Sequence, residues 1–245
     1  MPMQTPKKYD TEEAKAYTAT RSTWPEVIEF FLKYISSSNF LDAGCGTGND
    51  LRLIYEKTGW IGSGCDGSSA MIAETQKKLP TADLRQADFD SEFPFSQIFD
   101  TIYTHDVIHH LKKPEIFFQN LYNHLSVGGV LCIGCEFSEG LDKKFTSLYF
   151  PTALEIDKAR YPSYEKIHTI IRDIGFTDIE AVHIQDEEPF TEEIFAQAQT
   201  KSHSILRLIT EKDFAVGLSH LEKDFRSGVL TTATRNYTLL AVRKA

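Results

Sequence analysis

Two kinds of hydrophobic spacing alternate along the chain. Short apolar runs with period two or no period read as strands, and stretches repeating every three or four residues read as helices. Val27, Ile28, Phe31, Leu32 and Ile35 mark a first helix. Pro25 suits its first turn, and Thr23 with Glu26 reads as a capping box. Phe40 and Leu41 close a short apolar run that leads straight into Gly44, Gly46 and Gly48. Leu51, Ile54 and Tyr55 then share one helical face, with Gly59 placed to end it. Residues 60–66 and 82–88 read as further strands, and 100–103 alternate like another. Pro114 opens a helix through Ile116, Phe117, Asn120, Leu121 and His124, which Val127-Gly-Gly129 turns into the apolar strand 130–135. Strand–helix alternation of this kind builds a parallel sheet covered by helices.

The second part of the chain changes rhythm. Phe150-Pro-Thr152 and Tyr161-Pro-Ser163 punctuate loops, and Ser163 caps a helix carrying Ile167, Ile170, Ile171 and Ile174 that Gly175 ends. Residues 178–184 and 236–242 read as the last two strands, an antiparallel hairpin. Between them lies a long insert, 186–227, with two helix-like runs; Phe214, Leu218, Leu221 and Phe225 form the stripe of the second. It reads as a lid over a substrate pocket, or else as a helical pair that widens the core or dimerises. At 245 residues, one α/β domain with elaborations fits better than two domains. A helical N-terminal arm, 1–35, precedes the sheet.

Composition narrows the function classes. A net charge of −9 disfavours a broad surface that tracks nucleic-acid phosphates. No apolar run approaches membrane-spanning length, and residues 1–8 are polar with two prolines, so neither a membrane span nor a signal peptide is evident. Cys45, Cys65, Cys132 and Cys135 all fall in or beside strands, where a thiol acts as a small hydrophobe. Cys132-x-x-Cys135 lacks a second pair at metal-binding spacing, and its two side chains would face opposite sides of a sheet, so no metal site is expected. A reduced, cytoplasmic protein is the simpler picture.

The chemistry concentrates at Asp42-Ala-Gly-Cys-Gly-Thr-Gly48. Strand, glycine turn and helix in succession make a ligand cradle at the carboxyl end of a parallel strand, and glycine lets the backbone come close to the ligand. The spacing is G-x-G-x-G, whereas the dinucleotide fingerprint is G-x-G-x-x-G. A plain tight turn is the bland alternative.

This segment resembles the first motif of class I S-adenosylmethionine (SAM)-dependent methyltransferases, and further motifs in the same order extend the resemblance from about Tyr9 to Cys135. The family implies a Rossmann-like, doubly wound sheet of seven strands, mostly parallel with one antiparallel strand. It implies SAM as cofactor, S-adenosylhomocysteine as product, and a cofactor site of Asp42, Gly44, Cys45, Gly46 and Gly48 from the loop. In that resemblance Tyr17 and Arg21 of the N-terminal arm face the methionine end. Asp66, followed by Gly67, would accept both ribose hydroxyls, although it could instead cap the next helix, as could Ser68. Met71 would pack on the adenine, Asp88 would meet its amino group and the Phe89 N–H a ring nitrogen, with loop residues 90–95 as a hydrophobic wall. His105, His109 and His110 match a His-rich stretch that lines the space between the sulfonium methyl and the acceptor; His105 also borders the cofactor.

Methyl transfer asks mainly for alignment and exclusion of water. A hydroxyl or acidic carbon also needs a base, for which His110 is the first candidate and His109 and His105 follow. Tyr149, Tyr161 and His203 are substrate-side candidates by position. The Asn/Asp-Pro-Pro-aromatic run of amino-methyltransferases of DNA is missing after 105, which with the acidic charge points to a small-molecule O, N or C nucleophile. A tRNA or protein methyltransferase and a SAM-binding regulator without catalysis are the alternatives. A monomer or a homodimer fits equally.

Overall fold

The computed structural model describes residues 10–20, 23–91 and 93–245. Tyr9 and Arg21, read as parts of the N-terminal arm, lie outside the described residues. Seven strands form one sheet in the order β3-β2-β1-β4-β5-β7-β6. Its strands are β1 (Phe40–Ala43), β2 (Ser63–Asp66), β3 (Leu84–Gln86), β4 (Phe99–His105), β5 (Leu125–Cys135), β6 (Phe176–Pro189) and β7 (Thr232–Lys244). Strands β1 to β5 pair in parallel, and β7 runs antiparallel to both neighbours. β2 and β3 are shorter than their apolar runs suggest, because only Ser63–Asp66 and Leu84–Gln86 meet a partner strand.

Period two along the strands sorts side chains into two layers. On β5, Val130 and Cys132 enter one cluster while Leu131, Ile133 and Cys135 enter the other. On β7, Leu239 and Ala241 face the first and Leu240 and Val242 the second. Cys132 and Cys135 therefore sit on opposite faces, and burial pushes both thiols up. The first layer is closed by α2 (Pro25–Leu32) and α3 (Asn49–Thr58), through Val27, Ile28, Phe31, Leu51 and Ile54. The second is closed by α5 (Pro114–His124) and α8 (Tyr164–Ile174), through Phe117, Phe118, Leu121, Ile167 and Ile171. Each such fully buried side chain contributes about 1.5–3 kcal/mol. Phe93 and Phe95 also enter this second layer, beside Phe99 and Phe117. The wall read as lining a base is thus core.

Three local expectations need correction or sharpening. Thr23 does not cap α2: Trp24 holds the cap position without a side-chain bond. The Thr23 hydroxyl donates instead to the Asp50 carboxylate, a stronger, charge-assisted acceptor. Between β2 and α4 (Ser69–Lys78) the cap is Ser68, whose Oγ accepts the Met71 N–H at 3.3 Å. The segment between the last strands spans 190–231, because the β6–β7 hairpin stays paired out to Pro189 and Thr232; the 186–227 boundaries are shifted accordingly.

That segment carries α9 (Glu192–Gln199) and α10 (Glu211–Arg226). It builds a third apolar cluster with α6 (Phe145–Tyr149) and α7 (Pro151–Arg160), where Phe145, Phe150 and Ala153 meet Phe195, Leu206, Phe214 and Leu221. The arm helix α1 (Thr11–Thr20) lies against α4 and touches α9. It therefore spans from the sheet side of the molecule to the insert.

Candidate functional site

The site grows from the carboxyl ends of β1 and β4. Beyond β1, the N–H groups of Gly44 and Cys45 both donate to the Cys65 carbonyl, at 2.8 and 2.9 Å. Gly44, Gly46 and Gly48 then hold φ of +107°, +51° and +75°, values that favour glycine. The surroundings of the three differ. A Cβ on Gly44 would stand 2.0 Å from Val107 Cγ2, and one on Gly48 2.5 Å from Thr75 Cγ2. A Cβ on Gly46 would meet nothing within 4 Å among the described residues. The first and third glycines serve packing, and the second leaves a space open.

Asp66 locks this loop from the neighbouring strand. Its Oδ2 accepts the Gly46 N–H at 3.0 Å and its Oδ1 accepts the Ser68 N–H at 2.8 Å. Thr75 Oγ1 donates to the Gly46 carbonyl at 2.8 Å. Asp42, 1% exposed, accepts the Tyr103 hydroxyl at 2.9 Å through Oδ2, while its Oδ1 has no hydrogen-bond partner among the described residues. Burial, then the nearby Asp50 carboxylate, push the Asp42 carboxyl well above its ordinary range. A buried carboxylate oxygen with no donor is costly unless a cationic or hydrogen-bonding ligand completes it.

Beyond β4 the chain carries the histidines. His105 Nδ1 lies 2.5 Å from Asp50 Oδ2, with Asp50 in the first turn of α3. Asp106 follows in the left-handed region at φ +54°, and its Oδ1 accepts the Tyr237 hydroxyl at 3.0 Å. His109 stacks on Tyr161 with centroids 4.5 Å apart, and His110 stands beside it at 4.1 Å. Burial first, and the Arg160 charge second, lower the His110 imidazole to about 3. The ring is neutral at physiological pH and a weak proton acceptor.

These groups line one cavity of about 420 Å³. Tyr17, Asp42, Gly44, Cys45, Gly46, His105, His109 and His110 all border it, so the structure brings most of the expected residues together. Gly48, Asp66, Gly67, Met71, Asp88 and Phe89 are not among its lining residues; the Asp66–Gly46 bond connects the end of β2 to it. Met71 is buried, and Phe89 packs against Phe93 and Phe117. Asp88 is exposed, its Oδ1 accepting the Asp90 N–H at 3.2 Å. Of the substrate-side candidates, Tyr161 and His203 line the cavity, whereas Tyr149 lies outside it and donates to Asp224 at 3.0 Å.

The far wall escaped the sequence reading. Lys144 Nζ bonds Glu136 at 2.5 Å, and Arg160, behind the wall, reaches Asp157 at 3.2 Å and Ser204 at 3.1 Å. Burial pushes the Asp157 carboxyl up, to about 6, against the pull of Lys144 and Arg160. Burial alone would lower Lys144, but Glu136 and Asp157 outweigh it and hold the ammonium charged. Nothing in the spacing of 136, 144, 157 and 160 marks them as neighbours; the packing of α6 and α7 does. The insert closes the cavity with Thr191, Gln197 and Ser202. Among the described residues, no helix is long and apolar enough to cross a membrane.

Comparison with known proteins decides the family. The model of the Methyltransferase domain family matches residues 17–181, more than half of the chain. The chain belongs to that family. A relative, the trans-aconitate 2-methyltransferase of Rhizobium etli, is 35% identical over 94 residues, 38% of this chain and 36% of its own. The chain thus matches little more than a third of that relative's length. Among solved structures, phosphoethanolamine N-methyltransferase 2 of Haemonchus contortus, in complex with S-adenosyl-L-methionine, superposes with a TM-score of 0.62 at 20% identity, covering 96% of this chain and 57% of that one. The geranyl diphosphate C-methyltransferase of Streptomyces coelicolor gives 0.56 at 15%, covering 97% and 85%. At such identities these two structures speak for the Rossmann-like methyltransferase fold, which is the fold expected from the sequence.

Proposed function

We propose that this methyltransferase-family chain moves the methyl group of SAM to an O, N or C nucleophile of a small molecule. The observation that carries the reading is the Asp42 oxygen: buried, without a donor among the described residues, and at the foot of a glycine loop where those residues leave space open at Gly46. That pair of features fits the cofactor. Asp42 and the Gly46 backbone would hold its methionine end, and Tyr17 on α1 would cover it. Asp66 would take the ribose; Met71, Asp88 and Phe89, beyond the carboxyl ends of β2 and β3, would flank the base. SAM supplies an electrophilic methyl on a sulfonium. The residues of this chain bind it, orient the acceptor along the C–S axis and keep water out.

Among the three histidines, the geometry favours His105 as the proton acceptor. His110 is too weak a base, and His109 has its ring face against Tyr161. His105 is held by Asp50 at the cavity wall. A small-molecule acceptor is supported by the described neighbours of His105, which include Asp50, Asp106 and Tyr237 and form no basic groove among the described residues. The cavity continues past His105 to Tyr161 and Lys144, which leaves an acceptor room and speaks against a purely regulatory role. Trans-aconitate, the acceptor in the name of the Rhizobium etli relative, is one compound to assay. Four buried free thiols fit the reducing cytoplasm.

The test is titration calorimetry with SAM, S-adenosylhomocysteine and NAD. The two sulfur nucleosides should bind and NAD should not, because the third glycine falls one residue early for a pyrophosphate turn. Tight NAD binding with no response to either sulfur nucleoside would overturn the proposal.

A further inference from the structure

Three carboxylates converge on the glycine loop, and their hydrogen bonds set one of them apart. Asp66 accepts two backbone N–H groups, from Gly46 at 3.0 Å and from Ser68 at 2.8 Å. Asp50 accepts the Thr23 hydroxyl on Oδ1, and its Oδ2 lies 2.5 Å from His105 Nδ1. Partners on both oxygens favour the charged form of a carboxylate. Asp42 has less. Its Oδ2 takes one neutral hydroxyl, from Tyr103 at 2.9 Å, and its Oδ1 has no hydrogen-bond partner among the described residues. The residue is 1% exposed, so bulk solvent screens it little. The titratable groups that bear on it are Asp50 of α3, Asp66 and Cys65 of β2, Tyr103 and His105 of β4, and Cys45 of the loop. Thr47 of the same loop is also buried, and its hydroxyl has no hydrogen-bond partner among the described residues. Asp42 and Thr47 both line the cavity.

We propose, on the methyltransferase reading above, that Asp42 carries a proton while the site is empty and gives it up to solvent when a ligand brings an ammonium. Cofactor binding then expels a proton, and Asp42 selects for a charged methionine end. Where carboxylates crowd one site, the proton goes to the one least compensated by donors. As a neutral acid, Asp42 keeps its bond with Tyr103 and removes one of three negative charges. As an anion in the empty site it would hold a buried charge on an oxygen without a donor, which is costly. An ammonium at Oδ1 reverses that balance, because it supplies the missing donor and the opposite charge together. A ligand with the nucleoside and the thioether but no amino group supplies neither, and leaves the proton in place.

The exchange balances without a further reactant. Asp42–COOH and R–NH3+ become the ion pair Asp42–COO− with R–NH3+, and one H+ passes to solvent. The ammonium brings one positive charge and the proton takes one away, so the charge of the cluster with its ligand matches that of the empty cluster. Because a proton leaves, affinity depends on pH. It tightens as pH rises through the range in which the empty site is protonated, by up to about tenfold per pH unit for a full proton, and then levels off.

The experiment titrates S-adenosylhomocysteine into the full chain at about pH 6, where an α-amino group is an ammonium. Two buffers of different ionisation enthalpy are used, so that the difference in heat counts protons. A large fraction of one proton should be released, and methylthioadenosine, which lacks the amino-acid end, should release none. Asp42→Asn, a neutral side chain of the same shape, should bind S-adenosylhomocysteine about tenfold or more weaker and release no proton. His105→Gln should still release it. Carbon-13 spectra of the side-chain carboxyls examine the empty chain directly: the resonance that Asp42→Asn removes should titrate above the ordinary carboxylate range. A carboxyl that titrates in that range overturns the proposal. So does a release that survives Asp42→Asn, or one lost in His105→Gln, which would give the proton to the Asp50–His105 pair. Binding of S-adenosylhomocysteine with no release would remove the expulsion alone. No binding of either nucleoside would remove the methyl-transfer reading and the expulsion with it.

Discussion

Asp50 and His105 are separated by 55 positions in the chain, yet a carboxylate oxygen of one lies 2.5 Å from Nδ1 of the other. The second oxygen of Asp50 accepts the Thr23 hydroxyl. One carboxylate therefore joins the start of α3, the end of β4 and the segment before α2. Asp50→Asn keeps the shape but loses the charge that selects the Nδ1–H form of His105. Nitrogen-15 spectra of the His105 ring should show that form in the wild type and a mixture of tautomers in the variant. Turnover with any accepted substrate should fall by roughly 10²–10⁴-fold, as when a carboxylate that orients a catalytic histidine is neutralised. A ring spectrum that does not respond to Asp50→Asn would rule out the orienting role.

The glycines separate fold from ligand. Gly46→Ala adds a methyl to open space at φ +51°. It should cost about 1 kcal/mol of stability and weaken S-adenosylhomocysteine binding by tenfold or more. Gly44→Ala drives a Cβ into Val107 and should lower stability by about 1–3 kcal/mol whether or not nucleoside is present. Thermal melts with and without ligand compare the two; equal losses in both assays would contradict the division.

Asp66 and Ser68 make a second contrast. Asp66→Ala should weaken S-adenosylhomocysteine binding by about 1.5–3 kcal/mol, since it removes both the expected ribose acceptor and the bond that holds Gly46. Ser68→Ala removes the true cap of α4 and should cost about 1 kcal/mol of stability. If calorimetry finds Asp66→Ala binding as tightly as the wild type, the ribose assignment is wrong.

Asp157 gives the pH dependence. Its carboxyl is raised from 3.8 to about 6, chiefly by burial, so the folded chain holds this proton more tightly than the unfolded chain. Stability from this group is present at low pH and is lost as pH rises through the window between those values. The loss should be on the order of 2–3 kcal/mol. Asp157→Asn cannot titrate and should lack that loss. Urea unfolding near pH 4 and near pH 7 reads the difference between the two proteins; parallel curves would show that Asp157 titrates normally in the fold.

The insert is expected to open as a unit without being dispensable. Phe145 of α6, Ala153 of α7 and Phe150 between them depend on Phe195, Phe214 and Leu221 for cover. Replacing 190–231 by a short turn should therefore give an aggregating protein. In the intact chain, amides of α9 and α10 should exchange with solvent faster than those of β1 and β4, and S-adenosylhomocysteine with an accepted substrate should slow them. Exchange as slow in α9 and α10 as in the central strands would make the segment fixed core.

Much of this was legible in one dimension because it depends on neighbours in sequence. The 3.6-residue spacing of Val27, Ile28 and Phe31 buries one helical face. Gly59 and Gly175 stop their helices in the left-handed conformation, and Ser163 caps α8. The glycines at 44, 46 and 48 took positive φ as their spacing required. The Thr23–Glu26 capping box failed because a remote carboxylate, Asp50, outcompeted the local backbone for the Thr23 hydroxyl.

The sequence by itself determined the order of the strands and of the helices other than α6 and α7, the glycine cradle after β1 and the acidic residues at the ends of β1 and β2, since short-range sterics and periodicity act within a few residues. Only the tertiary structure decided which charges meet. Asp50 reached His105, Tyr237 reached Asp106, and Lys144 with Glu136 became the far wall. Pairings across tens of residues leave no periodic trace in the chain. They are chosen when the sheet closes and each buried charge must find a partner or remain unsatisfied. The same closure lowered His110 as a base by burying it beside Arg160, a fate that no spacing of histidines in the sequence could foretell.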